Sequence, residues 1–328
     1  MKYPKFIKQN GTIGICAPSA GIGDKSEDFD IAEKVLKEHG YHIVETDSVR
    51  SKELRSADAK TRAKELKELF TNDKVDIVMA AAGGDFLYEM LGETDFNTMQ
   101  NNPKWLLGMS DPTSLLFTYT VKYDVATMYG MNAGSFDLNP YHESLDHCLS
   151  LIEGNLITQE SYDLISSTKR FSGLPEVFDK PNHWKSNVTS LHTSGRLIGG
   201  CMDVLKDLIG TKFDDMKNFN ERYKEDGVIF YVEDFALTSE TFYLTLLQMK
   251  YAGWLDQVKA VIVGRTLFGS TNGTGLTYEE ALQRALGDIP YFYDADIGHT
   301  IPTMTFINGA ICHFDYENKK AKLSFELK

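Results

Sequence analysis

The sequence contains Trp105-Leu-Leu-Gly-Met-Ser-Asp-Pro-Thr113, in which an apolar run ends at Gly108 and an amphipathic segment begins at Thr113. This order predicts a strand, a sharp turn and a helix, the repeating unit of a parallel sheet covered by helices. Ser110 lies on the turn, where its hydroxyl is expected beside the first free N–H groups of the helix. Such N–H groups can hold the negative oxygen that forms when a hydroxyl attacks a carbonyl.

Ser110 has a second interpretation, as an ordinary helix cap. Serine and aspartate are both favoured at the N-cap position, and Pro112 suits the first helical turn. The turn by itself leaves both interpretations open.

Strand and helix signals alternate over the first part of the chain. Strands are predicted at Thr12–Ala17 and Val75–Ala81, and helices at Ser26–His39 and Ala57–Phe70. The run Val75–Ala81 is too continuous for a half-exposed strand, which indicates a parallel strand buried on both faces. We therefore predict an N-terminal α/β domain over residues 1–160 that carries the serine.

The periodicity weakens between residues 161 and 194, where turn residues accumulate, and we predict a connecting loop there. Strand signals return at Gly195 and alternate with helix signals, which predicts a C-terminal α/β domain with a mixed sheet over residues 195–328. Its predicted strands and helices are Gly195–Gly200, Met202–Ile209, Val228–Val232, Ser239–Tyr251, Ala260–Val263 and Tyr278–Leu286.

The composition restricts the classes of function. A formal charge of −13 argues against nucleic-acid binding, and no apolar stretch is long enough to span a membrane. The four cysteines are far apart and form no Cys-x-x-Cys pair, so we predict no zinc site and reduced thiols in the cytoplasm. The glycine-rich dinucleotide and P-loop patterns are both missing, and no cofactor is predicted.

Two further residues carry the groups that a serine nucleophile needs. Glu233 follows the apolar run Val228–Val232, at the strand end where α/β proteins place ligands. His299 follows a strand-like run and Gly298, which permits a tight turn. An imidazole can take the serine proton, and a carboxylate can orient that imidazole. Alternatively, Glu233 begins a solvated turn, and His299 is an exposed or packed loop residue.

Two adjacent glycines, Gly83 and Gly84, end the buried run Val75–Ala81. Glycines at a strand end expose backbone N–H groups to a ligand. One of these N–H groups can serve as a second oxyanion donor, beside the N–H of Asp111. The alternative is a plain turn between a strand and a helix.

Taken in order, these motifs resemble the LD-carboxypeptidase family of serine peptidases, which includes the microcin C self-immunity proteins. The matching segments are Gly11–Ser19, Gly83-Gly84, Gly108–Thr113, Gly195–Gly200 with Gly210-Thr211, Val232–Asp234 and Gly298-His299. They extend over almost the whole chain.

The resemblance implies that Ser110 is the nucleophile and that Glu233 and His299 complete its triad. It implies that the N–H groups of Gly84 and Asp111 form the oxyanion hole. It also implies a metal-free homodimer with an active site between an N-terminal and a C-terminal domain.

Two departures from the family pattern concern the substrate. The muropeptide-cleaving branch has an arginine before the paired glycines and an aromatic residue after them, where this chain has Ala82 and Asp85. The Gly-Gly-Cys-Met form at Gly199–Met202 is closer to the self-immunity branch, in which a loop tryptophan stacks on the nucleobase of the substrate. The resemblance therefore implies a peptidyl- or aminoacyl-nucleotide substrate contacted by Asp85 and Trp184. The alternatives are a muropeptide that ends in D-alanine, and a Trp184 that covers the domain junction.

Two interpretations outside serine catalysis stay open on the sequence. A two-lobed binding protein would need the glycine turns and Trp184 but no triad. A metal site would use Asp294, Asp296 and His299, although no second histidine or cysteine lies at ligand spacing.

Overall fold

Two contiguous parts of the chain each have their own hydrophobic core in the computed structural model, which describes residues 1–328. The N-terminal unit is Met1–Asn155 and the C-terminal unit is Leu156–Lys328. The first unit ends slightly before the predicted boundary at residue 160.

Five parallel strands form the sheet of the N-terminal unit. They are β1 (Thr12–Cys16), β2 (His42–Glu45), β3 (Ile77–Ala80), β4 (Trp105–Gly108) and β5 (Thr127–Tyr129). Their order along the sheet is β5-β4-β3-β1-β2, and each neighbouring pair is parallel. Because β3, β4 and β5 are buried along their whole length, their sequences are continuous apolar runs rather than alternating ones.

Helices follow the strands of this unit in the predicted alternation. They are α1 (Ser26–Glu38), α2 (Ala59–Thr71), α3 (Leu87–Leu91), α4 (Phe96–Asn101), α5 (Thr113–Tyr123) and α6 (Glu143–Ile152), with 3₁₀ helices at Asp47–Arg50 and Ala133–Asp137. Asp58 caps α2 by accepting hydrogen bonds from the N–H groups of Lys60 and Thr61. The helix α5 is buried almost all round, from Thr113 to Val121.

A mixed sheet of eight strands forms the C-terminal unit. The strands of the unit are β6 (Gln159–Glu160), β7 (Leu164–Ser166), β8 (Phe178–Pro181), β9 (Lys185–Ser186), β10 (Ser190–Cys201), β11 (Val228–Glu233), β12 (Val258–Gly264), β13 (Tyr291–Ala295), β14 (Phe306–Asn308), β15 (Ile311–Glu317) and β16 (Lys320–Glu326). The sheet order is β6-β16-β15-β10-β11-β12-β13-β9. Its centre, β10 to β13, is parallel, and the strands on either side are antiparallel. The predicted α/β class is confirmed in both units.

Four helices complete the C-terminal unit: α7 (Met202–Leu208), α8 (Met216–Arg222), α9 (Ser239–Tyr251) and α10 (Tyr278–Leu286). The side chain of Thr277 accepts from the N–H of Glu280, and the Glu280 carboxylate accepts from the N–H of Thr277, which fixes the start of α10. None of the helices is both long and apolar enough to cross a membrane.

The predicted connecting loop at residues 161–194 contains regular structure. It holds the antiparallel pair β7–β8, the edge strand β9 and the first part of β10. Sequence periodicity missed these strands because they are short or lie at an edge, with mostly exposed side chains.

The carboxylate of Asp296 joins this segment to the rest of the unit. Asp296 is fully buried and pairs with the guanidinium of Arg265. It also accepts hydrogen bonds from the N–H of Tyr162 at 3.1 Å, the amide of Asn182 at 2.9 Å and the indole of Trp184 at 2.9 Å. A buried carboxylate requires such partners, since an unpaired charge in the interior is very costly.

We expect Asp296→Ala to lower the free energy of unfolding by about 3–5 kcal/mol, because it leaves the Arg265 guanidinium buried without its counter-ion. Denaturant unfolding measures the change. The matched control is Glu160→Ala, which breaks the exposed pair of Glu160 and Lys322 and should cost at most about 1 kcal/mol. Equal losses in the two variants would contradict the role given to Asp296.

Candidate active site

Ser110 lies between the end of β4 and the start of α5, as the sequence predicts. Its backbone is left-handed, with φ at +69°, a conformation that costs a non-glycine residue energy and is held by its surroundings. The N–H of Ser110 donates to the hydroxyl of Tyr129 at 3.3 Å, and its carbonyl accepts from the N–H of Thr113 at 2.8 Å. This is the geometry of a sharp turn that lifts a side chain out of the sheet.

The paired glycines pass directly beside this turn. A Cβ on Gly83 would lie 3.0 Å from Cβ and 3.1 Å from Oγ of Ser110, so a larger residue would crowd the serine. Gly84 has φ at +146°, and its N–H, like that of Asp111, donates no hydrogen bond within the protein. Asp85, the next residue, is exposed.

The side chain of Asp111 points into the N-terminal unit and is 5% exposed. It accepts hydrogen bonds from the hydroxyl of Ser19 and, at 2.8 Å, from the N–H of Leu87 at the start of α3. Burial raises the pKa of this carboxyl, while the bonds from Ser19 and Leu87 oppose that rise. Asp111 therefore contributes structure through its side chain and leaves its own N–H free.

Glu233 and His299 form a buried pair in the C-terminal unit. His299 Nδ1 and Glu233 Oε2 are 2.8 Å apart, and the two residues are 7% and 0% exposed. Glu233 ends β11 at the carboxyl edge of the parallel strands, and His299 lies on the loop after β13. The interpretations of Glu233 as a solvated acid and of His299 as an exposed residue are therefore wrong.

Two glycines permit the close approach of the loop to Glu233. A Cβ on Gly298, which has φ at +92°, would overlap the Glu233 carboxylate. A Cβ on Gly264, at the end of β12, would lie 2.8 Å from Cβ of Glu233. The N–H of Gly298 donates to Thr303 Oγ1 at 2.9 Å and fixes the turn that precedes the histidine. Arg265 holds the other side of this turn, through the Thr300 hydroxyl at 3.0 Å.

An aromatic cluster adjoins the histidine, and its members lie outside the sequence motifs. The ring of Phe235 lies 4.7 Å from the imidazole of His299, measured between centroids. Phe235 contacts Phe268 and Phe171, which are 42% and 55% exposed, and the Arg170 guanidinium lies 5.0 Å from the Phe171 ring. We call Phe171, Phe235 and Phe268 the aromatic cluster. Its one sequence signal is that Phe235 follows Glu233 by two residues, because Phe171 and Phe268 come from distant loops.

Acidic side chains surround the end of β11. Asp203 accepts hydrogen bonds from the N–H groups of Phe235, at 2.9 Å, and Ala236, at 3.1 Å, and so fixes the loop after Glu233. Asp234 is fully buried, and its Oδ1 accepts from the N–H of Leu237 at 2.8 Å while its Oδ2 has no partner. Burial, together with the nearby carboxylates, raises the pKa of Asp234 to about 7.

Trp184 has no exposed surface, which corrects the prediction that it stacks on a ligand. Its indole N–H is bonded to Asp296, and its ring stacks with that of Phe314, the centroids 6.3 Å apart. A nucleobase could reach this ring only if the core of the C-terminal unit opened. The tryptophan instead packs its own segment against the sheet.

The metal-site alternative does not fit the contacts of its proposed ligands. The Asp296 carboxylate pairs with Arg265 and accepts the hydrogen bonds described above. Asp294 pairs with Lys185 at 2.8 Å. No three histidine, cysteine or acidic side chains lie together as a metal-binding group.

Comparison with known proteins agrees with the order of motifs in the chain. The model of the LD-carboxypeptidase N-terminal domain matches residues 13–130, and that of the LD-carboxypeptidase C-terminal domain matches residues 194–314. The chain therefore belongs to the LD-carboxypeptidase family and is a serine-type peptidase. This assignment favours the enzyme over the two-lobed binding protein.

Individual relatives extend over nearly the same length. A protein of Vibrio cholerae named as a carboxypeptidase is 26% identical, over 98% of both chains. The microcin C7 self-immunity protein MccF of Escherichia coli is 28% identical, over 82% of this chain and 80% of its own. The solved structure of the microcin C7 self-immunity protein MccF in complex with aspartyl sulfamoyl adenosine has the same fold, with a TM-score of 0.83, 22% identity and 98% of each chain covered.

Asp234 predicts a pH dependence of stability. Its pKa is raised above the ordinary value of 3.8, so its ionisation costs the folded state, and stability is lost as the pH rises from about 4 to about 7. Asp234→Asn removes that charge and should be more stable than the native protein at pH 8, by on the order of 2 kcal/mol, with little difference at pH 4. Denaturant unfolding across this pH range measures it. The exposed substitution Asp207→Asn is the control, and parallel pH curves for the native protein and Asp234→Asn would contradict the prediction.

Proposed function

We propose that this protein cleaves an amide bond near a free carboxylate, with Ser110, His299 and Glu233 as its catalytic triad. The observation that carries the proposal is the buried hydrogen bond of 2.8 Å between His299 Nδ1 and Glu233 Oε2. With Nδ1 engaged, Nε2 is the ring nitrogen left to accept a serine proton. The left-handed backbone of Ser110 gives independent support, since such strain is concentrated at functional turns.

In the proposed reaction, the Ser110 hydroxyl adds to the carbonyl carbon of the scissile amide and its proton passes to His299 Nε2. The carbonyl oxygen becomes an oxyanion, for which the N–H groups of Gly84 and Asp111 are the proposed donors. His299 returns the proton to the leaving amine as the C–N bond breaks. Water then hydrolyses the acyl-enzyme by the same route, and Glu233 orients the His299 ring throughout.

For the substrate, we propose a peptidyl- or aminoacyl-nucleotide of the microcin C type. The E. coli relative is a microcin C7 self-immunity protein, and the related solved structure holds an aminoacyl sulfamoyl adenosine. The aromatic cluster supports this choice, because its exposed rings Phe171 and Phe268 adjoin the ring that contacts His299 and offer π faces to a base. It replaces Trp184 in the proposal, and exposed Asp85 remains a proposed substrate contact. The cytoplasmic location and the homodimer stay predictions.

The alternative substrate is a muropeptide that ends in D-alanine, and a Bacillus subtilis relative is named as a murein peptide carboxypeptidase. The terminal carboxylate of such a peptide would need a cationic partner, and the residue before the paired glycines here is Ala82. Turnover assays of the purified protein with each of the two substrates distinguish these alternatives.

Ser110→Ala should lower turnover by about a thousandfold or more, because the triad acts as a unit. It should also abolish covalent labelling by a fluorophosphonate, which phosphonylates an activated serine with loss of fluoride. Ser324→Ala, on strand β16, is the control and should be labelled as the native protein is. Retained turnover or retained labelling in Ser110→Ala would refute the assignment of the nucleophile.

Phe171→Ala should weaken binding of aspartyl sulfamoyl adenosine by about ten- to a hundredfold, the equivalent of about 1–3 kcal/mol of stacking on one base. Phe171→Trp should retain the affinity, and Tyr251→Ala, which removes an exposed ring from α9, should leave it unchanged. Calorimetric titration of the three variants measures this. Equal affinity in Phe171→Ala and the native protein, together with turnover of the muropeptide, would favour the alternative substrate.

A further inference from the structure

The carboxylate of Asp111 links three separate segments of the N-terminal unit. It belongs to the turn that carries Ser110, and it accepts from the hydroxyl of Ser19, on the loop after β1. It also accepts from the N–H of Leu87, where the loop after β3 enters α3. Ser19 is fully buried, and its Oγ accepts in turn from the N–H of Phe86 at 3.3 Å. A single buried carboxylate thus holds the turn against both neighbouring loops.

The loop after β3 is also the one that contains the paired glycines. The carbonyl of Gly83 accepts from the N–H of Ala20 at 3.2 Å, and a Cβ on Gly84 would overlap the Ser19 hydroxyl. Gly84 therefore packs against the Ser19 hydroxyl, which donates its hydrogen bond to Asp111. Arg62, which is 1% exposed, also joins these two loops. Its guanidinium donates to the carbonyls of Pro18 at 2.9 Å and Phe86 at 3.0 Å.

We propose that the Ser19 hydroxyl and the Asp111 carboxylate are positioning groups that set the spacing between the N–H groups of Gly84 and Asp111. This rests on the proposed function, in which those two N–H groups bind the oxyanion. The two donor N–H groups lie on different loops. They stabilise an oxyanion together only when both point at the same site. The link through Asp111 and Ser19 joins the loops directly, with no solvent-exposed side chain between them.

The geometry predicts a defect in the chemical step rather than in ground-state binding. In the native protein one carboxylate oxygen accepts both the Ser19 hydroxyl and the Leu87 N–H. Asp111→Ala removes the acceptor of both bonds, so the turn loses its hold on both loops. A displaced N–H donor stabilises the oxyanion less and so slows the chemical step, because misplacement by about 1 Å can cost about a hundredfold in rate.

The test uses the full chain and a fluorophosphonate probe, so it does not depend on knowing the substrate. During labelling the Ser110 oxygen bonds to phosphorus, fluoride leaves, and the serine proton passes to His299. We expect Asp111→Ala and Ser19→Ala each to lower the maximal labelling rate by about ten- to a hundredfold, with the half-saturating probe concentration changed less than threefold. The double variant should be no slower than the worse single variant, since both changes break one link.

The matched control is Asp58→Ala, which removes another carboxylate that accepts backbone N–H groups, at the start of α2. It should lower the melting temperature and leave the labelling rate unchanged. If Asp111→Ala does not fold, Ser19→Ala decides, since it removes only one buried hydroxyl. Native labelling rates in folded Ser19→Ala or Asp111→Ala would overturn the positioning role while Ser110 stayed the nucleophile. Labelling of the native protein that persists in Ser110→Ala would instead overturn the proposed function.

Discussion

A buried carboxylate needs a hydrogen-bond partner, and for Glu233 that partner is the imidazole of His299. Glu233 has no exposed surface, and the hydrogen bond from the ring is 2.8 Å long. The loop can bring the histidine this close only because Gly298 and Gly264 have no Cβ to displace the carboxylate. The cost of desolvating one charge therefore determines the path of the loop, the orientation of the ring and the positions of two glycines.

The same constraint governs the N-terminal unit, where the buried acid is Asp111. Its partners come from two other loops, and the left-handed turn at Ser110 is held between them. The turn is strained for a serine, and the surrounding contacts offset that strain. In both units the polar groups at the strand ends are fixed by hydrogen bonds within their own unit, and so are preorganised.

Trp184 shows how a family resemblance can mislead about a single residue. The resemblance implies a loop tryptophan that stacks on a nucleobase, but here Asp296 accepts from its indole N–H, Phe314 stacks on its ring, and the side chain is fully buried. Asp296 and Arg265, which on the sequence were a candidate metal ligand and an unremarked arginine, form the buried pair that anchors this segment. The exposed rings near the histidine belong to Phe171 and Phe268, residues that no local pattern singled out.

The sequence alone determined the α/β class, most strand and helix positions, and Ser110, Glu233 and His299 as the candidate site. It could do so because the period of apolar residues and the residues at strand ends are local properties. Only the tertiary structure decided that Glu233 and His299 touch, that the segment 161–194 contains strands, and that Trp184 is buried. These depend on contacts between residues far apart in the chain, such as Trp184 and Asp296, and no local pattern encodes which distant partner a polar group will find.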